Sequence, residues 1–271
     1  MNHSRYLIAL DLDGTLLTDD KTISPFTIEV IKEVIEKGHI VVIATGRPRR
    51  ASIQYYQLLQ LSTPMINYNG ALICHPKNNS WETLHEPISR DVTFNVLDAC
   101  YTTHVQNILA EVQDHVYLDQ HDEEIIDLFQ LNKDFKAPLT VGKLLDRLET
   151  DPTALLVRPD IDHLDVLITE LDDYVDVIAH RQWADPFPVI EIMKKGIHKA
   201  YGIQKLAKHF DIPKERIIAF GDENNDLEMI DYVGIGVAME NGNPELKKIA
   251  DHVTDTNEND GVAKLLKQLI G

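Results

Sequence analysis

The sequence predicts an α/β protein built on a parallel sheet, and three similar apolar segments support this fold class. YLIALDLDGT, HIVVIATGR and RIIAFGDENND each contain a run of aliphatic residues that stops abruptly at polar residues and glycine. Their apolar residues are continuous rather than alternating, which is typical of strands buried on both faces. Segments with helical periodicity accompany these strands, as expected for helices that cover such a sheet.

The segment between the first two predicted strands is predicted to be a helix. In SPFTIEVIKEVIEKG, Ser24 is a suitable N-cap, Pro25 suits the first helical position, and Gly38 ends the helix. Isoleucines at helical spacing predict one apolar face, formed by Ile28, Ile31 and Ile35. The strand, helix and strand together predict a βαβ unit.

A second run of α/β elements is predicted near the carboxyl terminus. GIHKAYGIQKLAKHF predicts a helix, and DIPKER then leads into the third strand. The apolar residues at helical spacing are Ala200, Ile203, Leu206, Ala207 and Phe210. VGIGVAMENG and GVAKLLKQLI predict one more strand and one more helix.

The middle of the chain has a different pattern and is predicted to be an inserted α+β domain. VQNILAEVQDHVYLD predicts a hairpin, and DEEIIDLFQL and TVGKLLDRLE predict short helices. TALLVRP, DVIAHRQ and PVIEIM predict strands, with the helical segment DHLDVLITELDD between them. We therefore predict a core formed by residues 1–83 and 192–271, and an inserted domain, residues 84–191, that caps the ends of the core strands.

Composition and charge restrict the class of ligand. The chain has 26 Lys and Arg residues against 44 Asp and Glu residues, and its net charge of −18 disfavours nucleic acid and anionic membranes as partners. Small molecules are the expected ligands. Two cysteines are too few for a disulfide framework or a cysteine-rich zinc site. Aspartates interrupt the first apolar run, which disfavours a secretory signal peptide or a transmembrane span there. We expect a cytoplasmic protein, and the sequence leaves its oligomeric state open.

Polar clusters follow the predicted strands at their carboxyl ends, where open parallel sheets bind ligands. This placement gathers residues that are far apart in sequence: Asp11, Asp13, Thr45, Gly46 and Asp222. The Asp-x-Asp-Gly segment also suits a simple turn. A calcium loop of the EF-hand type is disfavoured because Gly14 occupies the fourth position instead of the sixth. Carboxylates from two strand ends suit Mg²⁺, which prefers oxygen ligands and binds phosphate.

Three further signals are weak when taken alone. Thr45 and Gly46 offer a hydroxyl and open backbone N–H groups, which suit an anion or a plain loop. Lys199 lies in the first turn of its predicted helix, and the local sequence favours a solvent-exposed side chain. RPRR, at 47–50, could recruit anionic substrates, grip the inserted domain or be solvated. Within it, Arg47 is the better functional candidate because it adjoins Gly46.

Four segments, taken in order, resemble a known family. DLDGTLL, ATGR, KGIHKAYGI and GDENNDLEM resemble the four motifs of the haloacid dehalogenase superfamily of phosphohydrolases, with a large insert between the second and third. More narrowly, the chain resembles the Cof-like sugar-phosphatase branch, which INYNGALI also resembles. The resemblance spans the whole chain and implies a Rossmann-like core with an inserted cap domain.

The resemblance implies roles for the two neighbouring aspartates. Asp11 matches the nucleophile that forms an aspartyl-phosphate, and it matches a magnesium ligand. Asp13 matches the general acid that protonates the leaving oxygen and then activates water, while its backbone carbonyl binds magnesium. A metal-bound aspartate stays ionised, whereas its neighbour can hold a proton.

The remaining motif residues match phosphate and metal positions. Thr45 and Gly46 match the phosphate-binding second motif, and Lys199 matches the lysine of the third motif. The family spacing places this lysine three residues after the glycine, which selects Lys199 over Lys194 and Lys195. In the fourth motif, Asp222 matches a magnesium carboxylate, Asn225 a phosphate contact and Asp226 a second acidic position that orients a metal-bound water.

These implications predict a magnesium-dependent phosphatase of small phosphomonoesters. The inserted domain is expected to set substrate specificity, and sugar phosphates, pyridoxal phosphate and flavin mononucleotide all remain possible substrates. Two alternatives belong to other classes: a phosphosugar mutase that transfers the phosphoryl group to a second hydroxyl, and a non-catalytic regulator that holds a phosphoryl group. A regulator of the receiver type needs neither a cap nor a second acid such as Asp13, so this alternative ranks below the phosphatase.

Overall fold

The structure is a computed structural model that describes residues 5–129, 131, 137–183 and 187–271. The chain divides into two compact units. The core unit comprises Met1–Arg47, Ser52–Leu84 and His198–Gly271, and the inserted unit comprises Pro48–Ala51 and His85–Ile197. Within the described residues, no helix combines the length and apolar character needed to cross a membrane.

The first described part of the chain contains two α-helices and five strands. In order, they are β1 (Leu7–Leu10), α1 (Pro25–Glu36), β2 (Ile40–Ile43), α2 (Arg49–Leu58), β3 (Met65–Asn67), β4 (Leu72–Cys74) and β5 (Leu84–His85).

The middle part alternates between short helices and strands. In order, they are α3 (Arg90–Thr102), β6 (Asn107–Val112), β7 (His115–Leu118), α4 (Glu123–Leu128), β8 (Leu139–Val141), α5 (Leu144–Arg147), β9 (Ala154–Arg158), α6 (Leu164–Asp172), β10 (Ile178–Trp183) and β11 (Val189–Lys194).

The last part returns to the α/β pattern. In order, its elements are α7 (Lys199–Phe210), β12 (Ile217–Gly221), α8 (Leu227–Tyr232), β13 (Ile235–Ala238), α9 (Pro244–Ile249), β14 (His252–Val253) and α10 (Gly261–Ile270).

The core unit is built on a five-stranded parallel sheet, which confirms the predicted fold class. Its strand order is β14–β13–β12–β1–β2, and each neighbouring pair is parallel. Side chains on both faces are buried, because Ile8 and Leu10 pack with α1 and α10 while Leu7 and Ala9 pack with α7 and α8. This two-sided burial explains the continuous apolar runs of the three predicted strands.

Helix α1 begins as predicted, but its buried face differs from the prediction. The Ser24 side chain accepts a hydrogen bond from the N–H of Thr27, and Pro25 occupies the first turn. The buried residues are Thr27, Val30, Ile31 and Val34. Ile31 is fully buried, and Ile28 and Ile35 are partly buried against the same core, so the buried face includes the predicted isoleucines but is wider than predicted. Valine and isoleucine side chains of this helix point in several directions, and the sequence alone did not decide which of them face the sheet.

A hairpin after α2 was not predicted. Strands β3 and β4 pair antiparallel, and a tight turn at Tyr68–Gly70 connects them. Ile66 also forms a parallel bridge with Ala44, just after β2. The hairpin therefore lies beside the carboxyl end of β2, where the functional residues were expected.

The inserted unit is built on a six-stranded sheet of order β10–β11–β9–β6–β7–β8. All of its pairs are antiparallel except the parallel pair β7–β8. The predicted hairpin is β6–β7. TVGKLLDRLE was predicted as one helix, but its start belongs to β8 and only Leu144–Arg147 is helical. In the predicted helix DEEIIDLFQL, α4 covers Glu123–Leu128, and Gln130 lies outside the described residues.

The predicted limits of the insert differ from those of the inserted unit. A limit after Glu191 would cut β11, which pairs with both β9 and β10. The structure continues the inserted unit to Ile197 and adds Pro48–Ala51 to it. The helix α3, within the insert, was also not predicted.

An arginine of the RPRR segment anchors Pro48–Ala51 in the inserted unit. Arg50 forms a two-pronged ion pair with Glu111 on β6, with N–O distances of 2.6 and 2.7 Å. The two side chains are only 5% and 2% exposed. Arg49, which is more exposed, pairs with Asp114 in the turn after β6. Of the predicted alternatives for Arg50, solvation is therefore wrong.

The buried pair predicts a large difference in stability between two otherwise similar substitutions. Glu111→Gln should lower the free energy of unfolding by about 3–5 kcal/mol, because the buried charge of Arg50 loses its carboxylate. Glu36→Gln removes one partner of the exposed pair with Lys32 and should change it by less than about 0.5 kcal/mol. Urea unfolding followed by circular dichroism measures both, and equal effects would contradict the role given to Arg50.

Candidate active site

Three of the predicted site residues lie at the carboxyl ends of three adjacent strands of the core unit. Asp11 follows β1, Asp222 follows β12, and Thr45 follows β2 after one residue. The N–H of Asp11 donates to the carbonyl of Phe220 at 3.2 Å, which ties the end of β1 to that of β12. Because these strands are parallel neighbours, residues separated by more than 200 positions meet at one edge of the sheet.

Three carboxylates form a cluster at this edge. Asp11, Asp222 and Asp226 each place one oxygen within 4.8 Å of the others. Burial raises the pKa of Asp11 well above its ordinary value, and the charges of Asp226 and Asp222 raise it further, while Lys199 opposes the shift. Burial and the charge of Asp226 likewise raise the pKa of Asp222 to about 7. The carboxylates of the cluster repel one another, so a cation bound among them is stabilised.

Lys199 supplies one positive charge to the cluster. Its Nζ lies 2.7 Å from Oδ1 of Asp11 and 2.7 Å from Oδ1 of Asp226. Burial alone would lower the pKa of Lys199, but the two carboxylates raise it above its ordinary value. The side chain is fully buried, so the exposed lysine favoured by the local sequence was wrong. The spacing of the third motif selected the buried lysine.

Two nearby lysines have different surroundings. Lys194 pairs with Glu86 at 2.6 Å, and the exposed Lys195 lies 3.7 Å from Asp176. All four residues belong to the inserted unit. In the core unit, Lys199 is the first residue of α7, next to its N-cap His198.

Asp226 holds the loop after β12 in place. Its Oδ2 accepts hydrogen bonds from the N–H groups of Asp222 and Glu223, at 3.0 and 3.1 Å, while its Oδ1 contacts Lys199. Asp226 therefore fixes the backbone at Asp222 and the ammonium of Lys199 together. Its predicted influence on a metal-bound water stays a prediction.

The donor set of the cluster fits Mg²⁺. All three side chains offer carboxylate oxygens, the ligands that this cation prefers. A Cβ at Gly14 would lie 2.1 Å from Oδ2 of Asp222, so only glycine leaves room for that carboxylate. The hydroxyl of Thr15 donates to the other oxygen of Asp222 at 2.8 Å. The segment after β1 therefore accommodates and orients a carboxylate of the candidate metal site.

Asp13 lies in a different electrostatic environment from Asp11. Its side chain is 42% exposed, and Arg47 grips both oxygens at 2.6 Å while Lys21 approaches at 2.8 Å. Burial would raise the pKa of Asp13, but hydrogen bonds and charge from Arg47 and Lys21 lower it to about 2. We predicted that Asp13 can hold a proton, but in this arrangement it is ionised at neutral pH. Arg47, predicted to bind phosphate, contacts Asp13 here.

The predicted phosphate-binding residues lie around a side chain that was not predicted. Thr45 is buried, and its hydroxyl oxygen accepts from the N–H of Arg47 at 3.1 Å. Nδ2 of Asn225 donates to Oδ1 of Asn69 at 3.0 Å. Asn69 belongs to INYNGALI, a segment that carried the family resemblance but had received no role. The resemblance of this segment to the family was the signal from which Asn69 could have been identified.

Comparisons with known proteins identify the family of the chain. A model of the haloacid dehalogenase-like hydrolase family matches residues 8–266. The chain is 48% identical to the 5-amino-6-(5-phospho-D-ribitylamino)uracil phosphatase YitU of Bacillus subtilis, over 99% of this chain and 98% of that protein. It is 30% identical to the B. subtilis phosphatase YcsE, which carries the same enzyme name, over 97% of this chain and 95% of that one.

A solved structure shares the fold over nearly the whole length. A haloacid dehalogenase-like hydrolase from Bacteroides thetaiotaomicron is 28% identical and superposes with a TM-score of 0.84, over 98% of this chain and 100% of the other. The predicted α/β fold, with a parallel-sheet core and an inserted α+β cap domain, is thereby confirmed, and so is the predicted enzyme class. The chain belongs to the haloacid dehalogenase-like hydrolases and is a phosphatase of small phosphorylated molecules.

Proposed function

We propose that this enzyme hydrolyses 5-amino-6-(5-phospho-D-ribitylamino)uracil, through a magnesium-dependent site and an aspartyl-phosphate at Asp11. The observation that carries the substrate is the 48% identity to YitU over 99% of the chain. This compound is a phosphomonoester on a sugar-derived chain, so it falls within the substrate class expected from the sequence. The proposal therefore selects one substrate from the class of sugar phosphates and phosphorylated cofactors that the sequence had left open.

The first displacement uses Asp11 as the nucleophile. A carboxylate oxygen of Asp11 forms a bond to phosphorus, and the bond between phosphorus and the ester oxygen breaks. Asp13 delivers a proton to the leaving oxygen, which departs as the alcohol. This step requires a protonated Asp13, so its ion pair with Arg47 must loosen when the substrate binds. A carboxylate nucleophile divides one difficult displacement into two easier ones.

The second displacement releases phosphate. Asp13, ionised after the first step, takes a proton from water while the water oxygen bonds to phosphorus. The bond between phosphorus and Asp11 breaks, which restores the carboxylate and releases inorganic phosphate. The ionised Asp13 held by Arg47 and Lys21 corresponds to the protonation state that this step requires.

Positive charge and oriented donors stabilise the phosphoryl oxygens during both steps. The distance of 2.7 Å between Lys199 and Asp11 supports this role, since the lysine charge would neutralise the transferring group beside it. We assign the backbone at Thr45 and Gly46, and the amide of Asn225, to its other oxygens. Mg²⁺ would be held by Asp11, Asp222 and the backbone carbonyl of Asp13, near Asp226. When bound, it supplies the charge that offsets repulsion among carboxylates and phosphate.

The proposed substrate is tested by measuring phosphate release from a panel of metabolites. We expect the highest kcat/KM for 5-amino-6-(5-phospho-D-ribitylamino)uracil, above ribose 5-phosphate, pyridoxal phosphate and flavin mononucleotide. A higher kcat/KM for another member of the panel would show that the proposed substrate is wrong.

The proposed metal site is tested by chelation. A chelator should abolish the activity, and added Mg²⁺ should restore it, because the clustered carboxylates otherwise repel the phosphate. Full activity in the presence of the chelator would refute the metal site.

Asp11 and Asp13 are separated by trapping the phosphoenzyme. Asp13→Asn should accumulate a phosphorylated protein from an activated aryl phosphate, since its leaving group needs no proton while the second step lacks a base. Asp11→Asn should accumulate none, because a neutral amide is a poor nucleophile. Mass spectrometry of the intact protein after an acid quench measures the added phosphoryl group. Phosphorylation of the Asp11→Asn protein would place the nucleophile elsewhere.

Lys199 should matter far more than its neighbour Lys195. Lys199→Ala should lower kcat/KM by about 100-fold or more, comparable to the loss of one preorganised electrostatic donor. Lys195→Ala, on an exposed side chain, is the matched control and should retain nearly full activity. Circular dichroism of both variants checks that they remain folded. The reverse ranking in folded proteins would show that the motif was assigned to the wrong lysine.

A further inference from the structure

The turn that connects β3 and β4 has an unusual backbone. Tyr68, Asn69 and Gly70 all have positive φ angles, of 49°, 50° and 108°. Residues with side chains rarely adopt this left-handed region, and tyrosine does so less readily than asparagine. Consecutive residues of this kind persist only where the surroundings hold them, and they concentrate at functional sites.

Hydrogen bonds to the segment after β2 hold this turn in place within the core unit. The N–H groups of Tyr68 and Asn69 donate to the carbonyls of Arg47 and Thr45, at 3.3 and 3.0 Å. The fully buried Asn67 donates from Nδ2 to the same carbonyl of Arg47 at 3.0 Å. The turn is therefore fastened to the segment after β2, which carries the second motif.

The side chain of Asn69 lies between two assigned phosphate-binding segments. It is only 3% exposed, and its Oδ1 accepts from Nδ2 of Asn225 at 3.0 Å. A Cβ at Gly46 would lie 3.2 Å from that Oδ1 and 3.3 Å from Nδ2 of Asn69, closer than most such contacts. The glycine of the second motif thus gives Asn69 room to reach the asparagine of the fourth motif.

We infer that Asn69 is a positioning residue that fixes the amide of Asn225 for its contact with the phosphoryl group. The inference rests on the phosphate role proposed above for Asn225. A free asparagine amide rotates among several orientations, and a hydrogen bond to one N–H leaves fewer of them. Asn69 thereby sets where the remaining donor and the oxygen of Asn225 lie. It acts on phosphate affinity through a side chain that is distant in sequence.

Removing the side chain without straining the turn tests this role. Asn69→Gly keeps the left-handed backbone, because glycine adopts it readily, but it removes the acceptor of Asn225. Using p-nitrophenyl phosphate, we expect KM and the inhibition constant of inorganic phosphate to rise about tenfold, with a smaller change in kcat. Asp211→Gly is the matched control, since Asp211 is an exposed left-handed residue at the end of α7. It should change neither constant.

A double-variant cycle distinguishes positioning from a general structural effect. In an Asn225→Ala background, Asn69→Gly should have no further effect on the inhibition constant of phosphate, because its partner is already absent. A full additional tenfold rise in that background would overturn the inference. So would an unchanged inhibition constant in a folded Asn69→Gly protein. Since the assay uses an aryl phosphate, it is independent of whether the ribitylaminouracil phosphate is the natural substrate.

Discussion

The arrangement of the candidate active site depends on one fully buried ammonium group. Lys199 lies between Asp11 and Asp226, at 2.7 Å from each. Its position at the start of α7 is unfavourable by about 0.3–1 kcal/mol, because a helix N-terminus repels cations. Removing one partner from a buried ion pair is unfavourable by about 3–5 kcal/mol, so the carboxylates decide where this lysine lies. The positive charge of Lys199 also offsets the electrostatic repulsion between Asp11 and Asp226.

The parallel sheet brings the other residues of the candidate site close to this lysine. The strands β12, β1 and β2 are neighbours, so the residues that follow them meet although they belong to three separate segments. Asp226 then links the loop after β12 to α7 by accepting from two N–H groups and from Lys199. The turn at Asn69 adds a fourth segment, fastened to the second motif through the carbonyls of Arg47 and Thr45. Each segment is held by hydrogen bonds from another.

Local patterns predicted the core strands and the helices α1, α7 and α10, but they missed the β3–β4 hairpin and α3. They also failed where a side chain depends on a distant partner. Continuous apolar runs identified the strands, and the Ser24–Pro25 signal identified the start of α1. The burial of Lys199 was not evident from its own helix, because its partners come from two other segments. Arg50 was ambiguous for the same reason, since Glu111 lies 61 positions away. Asn69 belongs to a segment that resembles the family, but the local sequence gave it no role, because its partner Asn225 is distant in sequence.

The two aspartates of DLDG share one short segment but have opposite surroundings. Asp11 is 5% exposed, and its burial restricts the access of bulk water to the group that would carry the phosphoryl ester. Asp13 is 42% exposed and pairs with two cations, so in the proposed mechanism it would exchange protons with solvent between the two steps. A nucleophile and an acid–base group have conflicting needs, and one carboxylate cannot meet both. Asp11 lies at the buried end of β1 and Asp13 at the more exposed margin two residues later, so the same short segment would supply both groups in the proposed mechanism.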